Sequence, residues 1–201
     1  MGIKSLVTIN IAANVLWGIS LAKAIMAVCP FAHQGKVALA YETSDEAIRI
    51  ANESGDIYSK AHAYPVHGWC YYYKGYLQRA KEHLLKGAVF SDRINHLIFI
   101  GNAHCGLGIT LFDMKDYINS RKHFEMVISL YRNGSFFPSL VNYCRISSAL
   151  AKVMENEKDI NLDEIFKWYK DIKYKWVKGT VLNHISQILL NIDDQHISEA
   201  E

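Results

Sequence analysis

The sequence predicts an all-α protein built from stacked antiparallel helix pairs, and three observations carry that prediction. Small residues return at intervals of about forty residues. Only three prolines occur in 201 residues, which favours long helices over strands and turns. Residues that start and stop helices recur between the apolar stretches. Half of the chain is apolar, enough to bury a core without a disulfide or a metal. The two signs of charge nearly cancel to a formal +2, which gives no electrostatic case for a nucleic-acid or membrane-surface protein.

The repeat shows when the chain is slid along itself. Gly68-x-x-Tyr71 lines up with Gly108-x-x-Leu111, and Ala80-x-x-x-Leu84-x-x-Gly87 with Ser120-x-x-x-Phe124-x-x-Val127. Ala40, Ser44 and Ala47 hold the small sites one unit earlier, Ser147, Ser148 and Ala151 one unit later, and Ala200 the last. Two helices approach closely only where a side chain is small, so each unit is read as a crossing pair. One pair cannot cover its own apolar face, so units must stack. The expected units are 5–54, 56–94, 96–134, 136–177 and a truncated 179–201, all within one domain over 1–201.

Taken in order, helices are expected at 5–28, 36–53, 57–73, 76–92, 96–114, 117–132, 137–155, 162–176 and 179–191. In the first, MGIK precedes eighteen uncharged residues and Ala22-Lys23-Ala24, a signal-like pattern. Thr8, Asn10, Asn14 and Ser20 dilute that run, while Ile9, Ala12, Ala13, Leu16, Trp17 and Ser20 share one helical face. A repeat helix is the adopted reading, and a targeting segment is the other. Gly55 stops the second helix and Asp56 caps the third, where Pro65 predicts a kink or a late start. Asp116 caps the sixth helix, Asn133-Gly134-Ser135 punctuates the next turn, and Pro138 suits a first turn. Asn161 with Asp163 and Glu164 opens the eighth. The chain ends at HISEAE as a further helix begins, and a fragment of a longer protein is expected.

The Gly-x-x-aromatic and Ala-x-x-x-aromatic order resembles the tetratricopeptide (TPR) repeat, stretched from its usual 34 residues. ANESGDIYSKAHAY (51–64), GWCYYYKGYLQRAKEHLLKG (68–87) and NIDDQHISEAE (191–201) look like the TPR-rich C-terminal region of large bacterial adenylate/guanylate cyclase or AAA-ATPase signalling proteins. The resemblance implies a right-handed superhelical solenoid that binds a peptide, a partner domain or its own parent chain. It carries no catalysis over, since no GxxxxGK[ST] loop is present. The unit at 136–177 departs from the pattern, because ENEKDIN (155–161) lengthens its loop.

In such a stack the first helices line a concave face. Helical phase turns Gly68 and Tyr71 toward the partner helix, and Trp69, Tyr72 and Tyr73 the other way. The same face takes in His62, then Asn102, Cys105 and Asp113, then Asn142, Arg145 and Lys152, then Asn183. Trp and Tyr favour binding hot spots, and recurring Asn could clamp a peptide backbone. Equally, Trp69 and Tyr73 could simply fill a wide superhelix.

Other chemistry is weaker. His67-x-x-Cys70 with His104-Cys105 has ligand types that suit zinc but spacing that does not converge on one tetrahedron. A Cys–His nucleophile lacks a signalled orienting group, so no catalytic residue, cofactor or metal is expected. A small-molecule pocket near Trp69 and His104 is the alternative function. KWYKDIKYKWVK could grip a nucleic-acid strand from Lys167 to Lys178, although Ile165, Trp168, Tyr169, Ile172 and Trp176 read better as one helix's core stripe. Neither a nucleic-acid nor a membrane partner is expected. Cys29, Cys70, Cys105 and Cys144 fall about one per unit, as buried thiols of a cytoplasmic protein would.

Overall fold

A computed structural model describes Ser5, Thr8, Asn10 and residues 15–27, 32–132 and 137–192, apart from the side chains of His33 and Trp176. Among the described residues the chain forms nine α-helices, one 3-10 turn and no strand. It divides into two compact units, 1–110 and 111–201. Consecutive helices pack against each other within each unit.

The first unit holds α1 (Leu16–Met26), α2 (Val37–Ser54), α3 (Ile57–Tyr73), α4 (Leu77–Arg93) and most of α5 (Leu97–Asp113). Small residues set the crossings. Ala40, Ser44, Ala47 and Ala51 form the buried stripe of α2. Ser20 of α1 crosses there and donates to the Ala47 carbonyl at 2.9 Å. α1 also packs on α3, two elements on. Trp17 departs from the expected buried face of α1: it is 56% exposed, while Gly18, Ile19, Ser20, Ala22 and Ala24 are buried. The backbone comes closest to its neighbours through Gly18, Ser20 and Ala22, so an indole has no room there.

Asp56 caps α3, its carboxylate accepting from the Ser59 amide at 2.6 Å and the Ser59 hydroxyl at 2.7 Å. Pro65 does not delay α3, which begins at Ile57 and runs through it. A proline lacks the amide that would bond the carbonyl four residues back, here Ala61. The one hydroxyl proton of Ser91 on α4 is shared between that freed Ala61 oxygen, at 3.2 Å, and the Gly87 oxygen, at 2.7 Å, so the buried acceptor receives the longer part of a divided bond. A Cβ on Gly87 would stand 2.4 Å from Pro65 Cγ, so glycine is what lets the proline ring seat. The misfit residue is therefore housed by two residues of the next helix.

The second unit holds α6 (Tyr117–Leu130), α7 (Pro138–Met154), α8 (Leu162–Asp171) and α9 (Lys175–Ile192). α7 packs on α6, α8 and α9. Asp116 caps α6, Pro138 opens α7, and Asn161 caps α8 by accepting from the Glu164 amide at 3.2 Å. The Asn133-Gly134-Ser135 signal and the Ala200 site lie outside the described residues.

The expected helix 162–176 is corrected. α8 stops at Asp171, Ile172 is extended, and α9 starts at Lys175. Ile165 and Ile172 are buried, but the lysines of 167–178 are divided between two helices and the break that holds Lys173, so they do not share one helix face. The Lys173 amide, released from helix bonding, donates to Ser139 Oγ at 3.0 Å. Arg121 ties down the long 155–161 loop by pairing with Glu157 at 2.6 Å and Glu155 at 3.3 Å.

A periodicity finer than the expected one governs the turns. Residues with positive φ stand at Gly35, Gly55, Gly75, Asn95 and Lys115, about twenty residues apart, and again at Asn156. Each of these left-handed residues follows a helical turn, as such residues commonly do, whereas Phe137, also at positive φ, opens α7.

Candidate functional site

In the first unit the aromatic residues of α3 divide by face. Gly68 and Tyr71 look toward α4, where Tyr71 packs edge-on to His83 with ring centroids 5.0 Å apart. Trp69, Tyr72 and Tyr73 form a second cluster, with Trp69 stacked on Tyr73 at 6.0 Å and Tyr72 edge-on to both. Trp69 Nε1 donates to Asn102 Oδ1 on α5 at 3.0 Å. A Cβ on Gly106 would stand 3.1 Å from the Trp69 ring, so α5 makes space for the indole there.

Two of the sequence-predicted residues thus bond to each other across α3 and α5. Trp69 and Tyr72 remain half-buried, and Tyr73 is 37% exposed. Burial, with the Cys70 and Cys105 thiols nearby, pushes the Tyr73 hydroxyl up to about 12. It is a neutral hydrogen-bonding group at physiological pH. His62 lies near the start of α3, its ring 4.8 Å from Phe99 of α5. Burial, then the charge of His96, pushes its pKa down to about 4. Cys105 and His104 are buried.

A buried polar cluster that the sequence did not announce lies between α2, α3 and α4. His67 is 1% exposed and its Nδ1 lies 2.7 Å from Ser44 Oγ, with Asp45 3.8 Å from Nε2. The rings of Tyr41, Tyr71 and His83 surround it at 4.5 to 5.0 Å. Burial drives His67 down to about 3, with His83 adding to the effect. Ser, His and Asp together resemble hydrolase components, but Ser44 has no exposed surface and presents no nucleophile to solvent. Its signals in the sequence were His67 and Tyr71 one turn apart, facing the small stripe of α2. Among the described residues no group of His, Cys, Asp and Glu is placed to hold a metal.

In the second unit Asn142 is buried and donates to the Trp168 carbonyl at 3.3 Å. Arg145 donates to Asn142 Oδ1 at 3.1 Å, and its guanidinium carbon stands 5.5 Å from the Trp168 ring centroid. One and two turns on, Ala149 and Lys152 continue this stripe. It forms one side of an open cleft of about 350 Å³, bordered by α6, the 155–161 loop and α8. This described cleft lies in the other unit from Trp69 and His104. Asp113 and Asn183 are exposed on α5 and α9.

No family model matches the chain, and no curated protein matches it. No described helix is long and apolar enough to cross a membrane.

Proposed function

We propose that this is a TPR-type helical-repeat module, a right-handed solenoid without enzymatic activity. In this reading it binds a peptide or a partner domain, domains of its own parent chain included. The observation that carries the reading is the Trp69–Tyr72–Tyr73 cluster. It is anchored by the Asn102 bond yet keeps tyrosine surface in solvent. Rigid aromatic groups bind at low entropic cost, and this cluster is held in place before any partner arrives. A stacked arrangement is supported inside each unit by first helices packing on first helices, α1 on α3 and α7 on α9. A reducing, cytoplasmic setting suits the buried cysteines among the described residues, Cys70, Cys105 and Cys144, of which Cys70 is pushed up to about 11 by burial.

A displayed peptide library panned on the immobilised protein tests this surface. Peptides enriched over an unrelated helical protein should lose about ten-fold in affinity with Tyr72→Ala/Tyr73→Ala, as hot-spot truncations do. Trp69→Ala should act likewise, with a circular-dichroism melt to separate loss of the surface from loss of the fold. Equal binding to the variants, or no enrichment at all, would refute the surface.

A further inference from the structure

The cleft of the second unit is lined by three chemically distinct kinds of group. Arg145 stands against the Trp168 ring, held by Asn142. Ile128, Ile160 and Ile165 supply apolar wall. Lys152, Asp159, Glu164 and Glu125 complete the charged lining, Glu125 standing 3.9 Å from Arg121, so away from Arg145 the carboxylates outnumber the cations.

Four of these charges are uncommitted. Among the described residues no ion pair involves Arg145, Lys152, Asp159 or Glu164. Arg145 and Lys152 are half-buried, where an unpaired cation gains more from a ligand than it would in open water. Glu164 and Trp168 are one turn apart on α8, which sets Glu164 about 6 Å along the helix from the ring that Arg145 stands against. A multiply charged anion such as phosphate would meet repulsion from the carboxylates. An α-amino acid has its two charges too close together to reach both Arg145 and Glu164.

We propose that this cleft binds a small molecule of the ω-amino acid class, its carboxylate at Arg145, its alkyl chain against the isoleucines and its ammonium at Asp159 and Glu164. The site is separate from the aromatic surface of the first unit and does not depend on it. Arg145 is suited to the carboxylate because its planar fork makes paired hydrogen bonds, and Trp168 with Asn142 keeps that fork oriented.

Isothermal titration calorimetry on the intact chain tests this with 5-aminopentanoate, whose charged ends stand about one helical turn apart. Saturable binding is expected, with pentanoate and pentylamine each about ten-fold weaker through loss of one charge-assisted contact. Arg145→Gln and Glu164→Gln should each weaken 5-aminopentanoate by a similar factor. Glu164 is exposed and its side chain supports no described contact, so that variant reads the site even if Arg145→Gln melts early. The proposal is overturned by the absence of saturable heat, by pentanoate binding as well as 5-aminopentanoate, or by unchanged binding to Glu164→Gln. None of these outcomes touches the peptide surface, whose test reads Tyr72 and Tyr73.

Discussion

At the residue scale, Pro65 and Ser91 form a reciprocal pair. The proline removes one backbone donor, and the serine hydroxyl, which also bonds the Gly87 carbonyl, supplies a shared bond at the same carbonyl. Ser91→Ala should therefore cost about 1–3 kcal/mol, the penalty for a buried acceptor left without a partner. In a Pro65→Ala background the restored amide bonds Ala61, and the same serine change should cost markedly less. Urea melts of the four proteins measure this coupling, and simple additivity would remove it. Pro65 could be read in the sequence as a misfit, but Ser91 could not be read as its compensation. Their pairing depends on how α4 is rotated against α3, and no local propensity encodes that. Lys115 offers a second residue-scale test. It holds φ of +63° at an exposed turn, a conformation that costs a side-chain-bearing residue about 1 kcal/mol. Lys115→Gly should raise the melting temperature by about 2–4 °C, less whatever glycine adds to unfolded-state entropy. A lowered melting temperature would show that Lys115 makes a contact worth more than the strain.

At the scale of elements, the helices were legible because caps and breakers act within a few residues of where they stand. Asp56, Asp116 and Asn161 each accept the amide three residues on, as their positions ahead of apolar stretches implied. The error at 172–174 has a tertiary cause. Nothing between Asp171 and Lys175 is a glycine or proline, and the break is held by Ile172 turning into the core and Lys173 bonding Ser139 of α7. Removing that anchor with Ser139→Ala should loosen the turn and speed hydrogen exchange at the Lys173 amide. Exchange as slow as in the parent protein would count against the bond. The 155–161 loop has the same dependence on a distant residue. Arg121 faces Glu155, Glu157 and Glu125, and Arg121→Ala leaves the mostly buried Glu155 carboxylate uncompensated. About 1–2 kcal/mol of stability should be lost, and the loss should shrink in high salt because part of the network is exposed. A salt-independent loss would point to packing by the arginine stem instead.

At the scale of the whole chain, buried histidines set the response to acid. His62, His67 and His184 are held neutral by burial, at about 4, 3 and 4, below the ordinary 6.5. Once unfolded they take up protons below pH 6.5, while the folded protein does not until their lowered values are reached. The unfolded state then binds more protons, so the contribution of these histidines to stability falls as pH drops from about 6.5 toward 4 and is constant above 7. Melting temperatures across that range test the sign, and a curve level from pH 7 to 4 would contradict the burial of these rings.

The sequence by itself determined that the chain is helical, about where most of the helices begin and end, and which small residues lie at the crossings. Those properties follow from periodicity, backbone geometry and capping, which act over one or two turns. It also placed Trp69 and Tyr73 on a different face from Tyr71. Tertiary structure alone decided what the faces meet: Trp69 against Asn102, Ser44 against His67, and Arg145 beside Trp168 in a cleft. Each of those contacts joins residues far apart in the chain, and only the packing of helix on helix determines which side chains share a space.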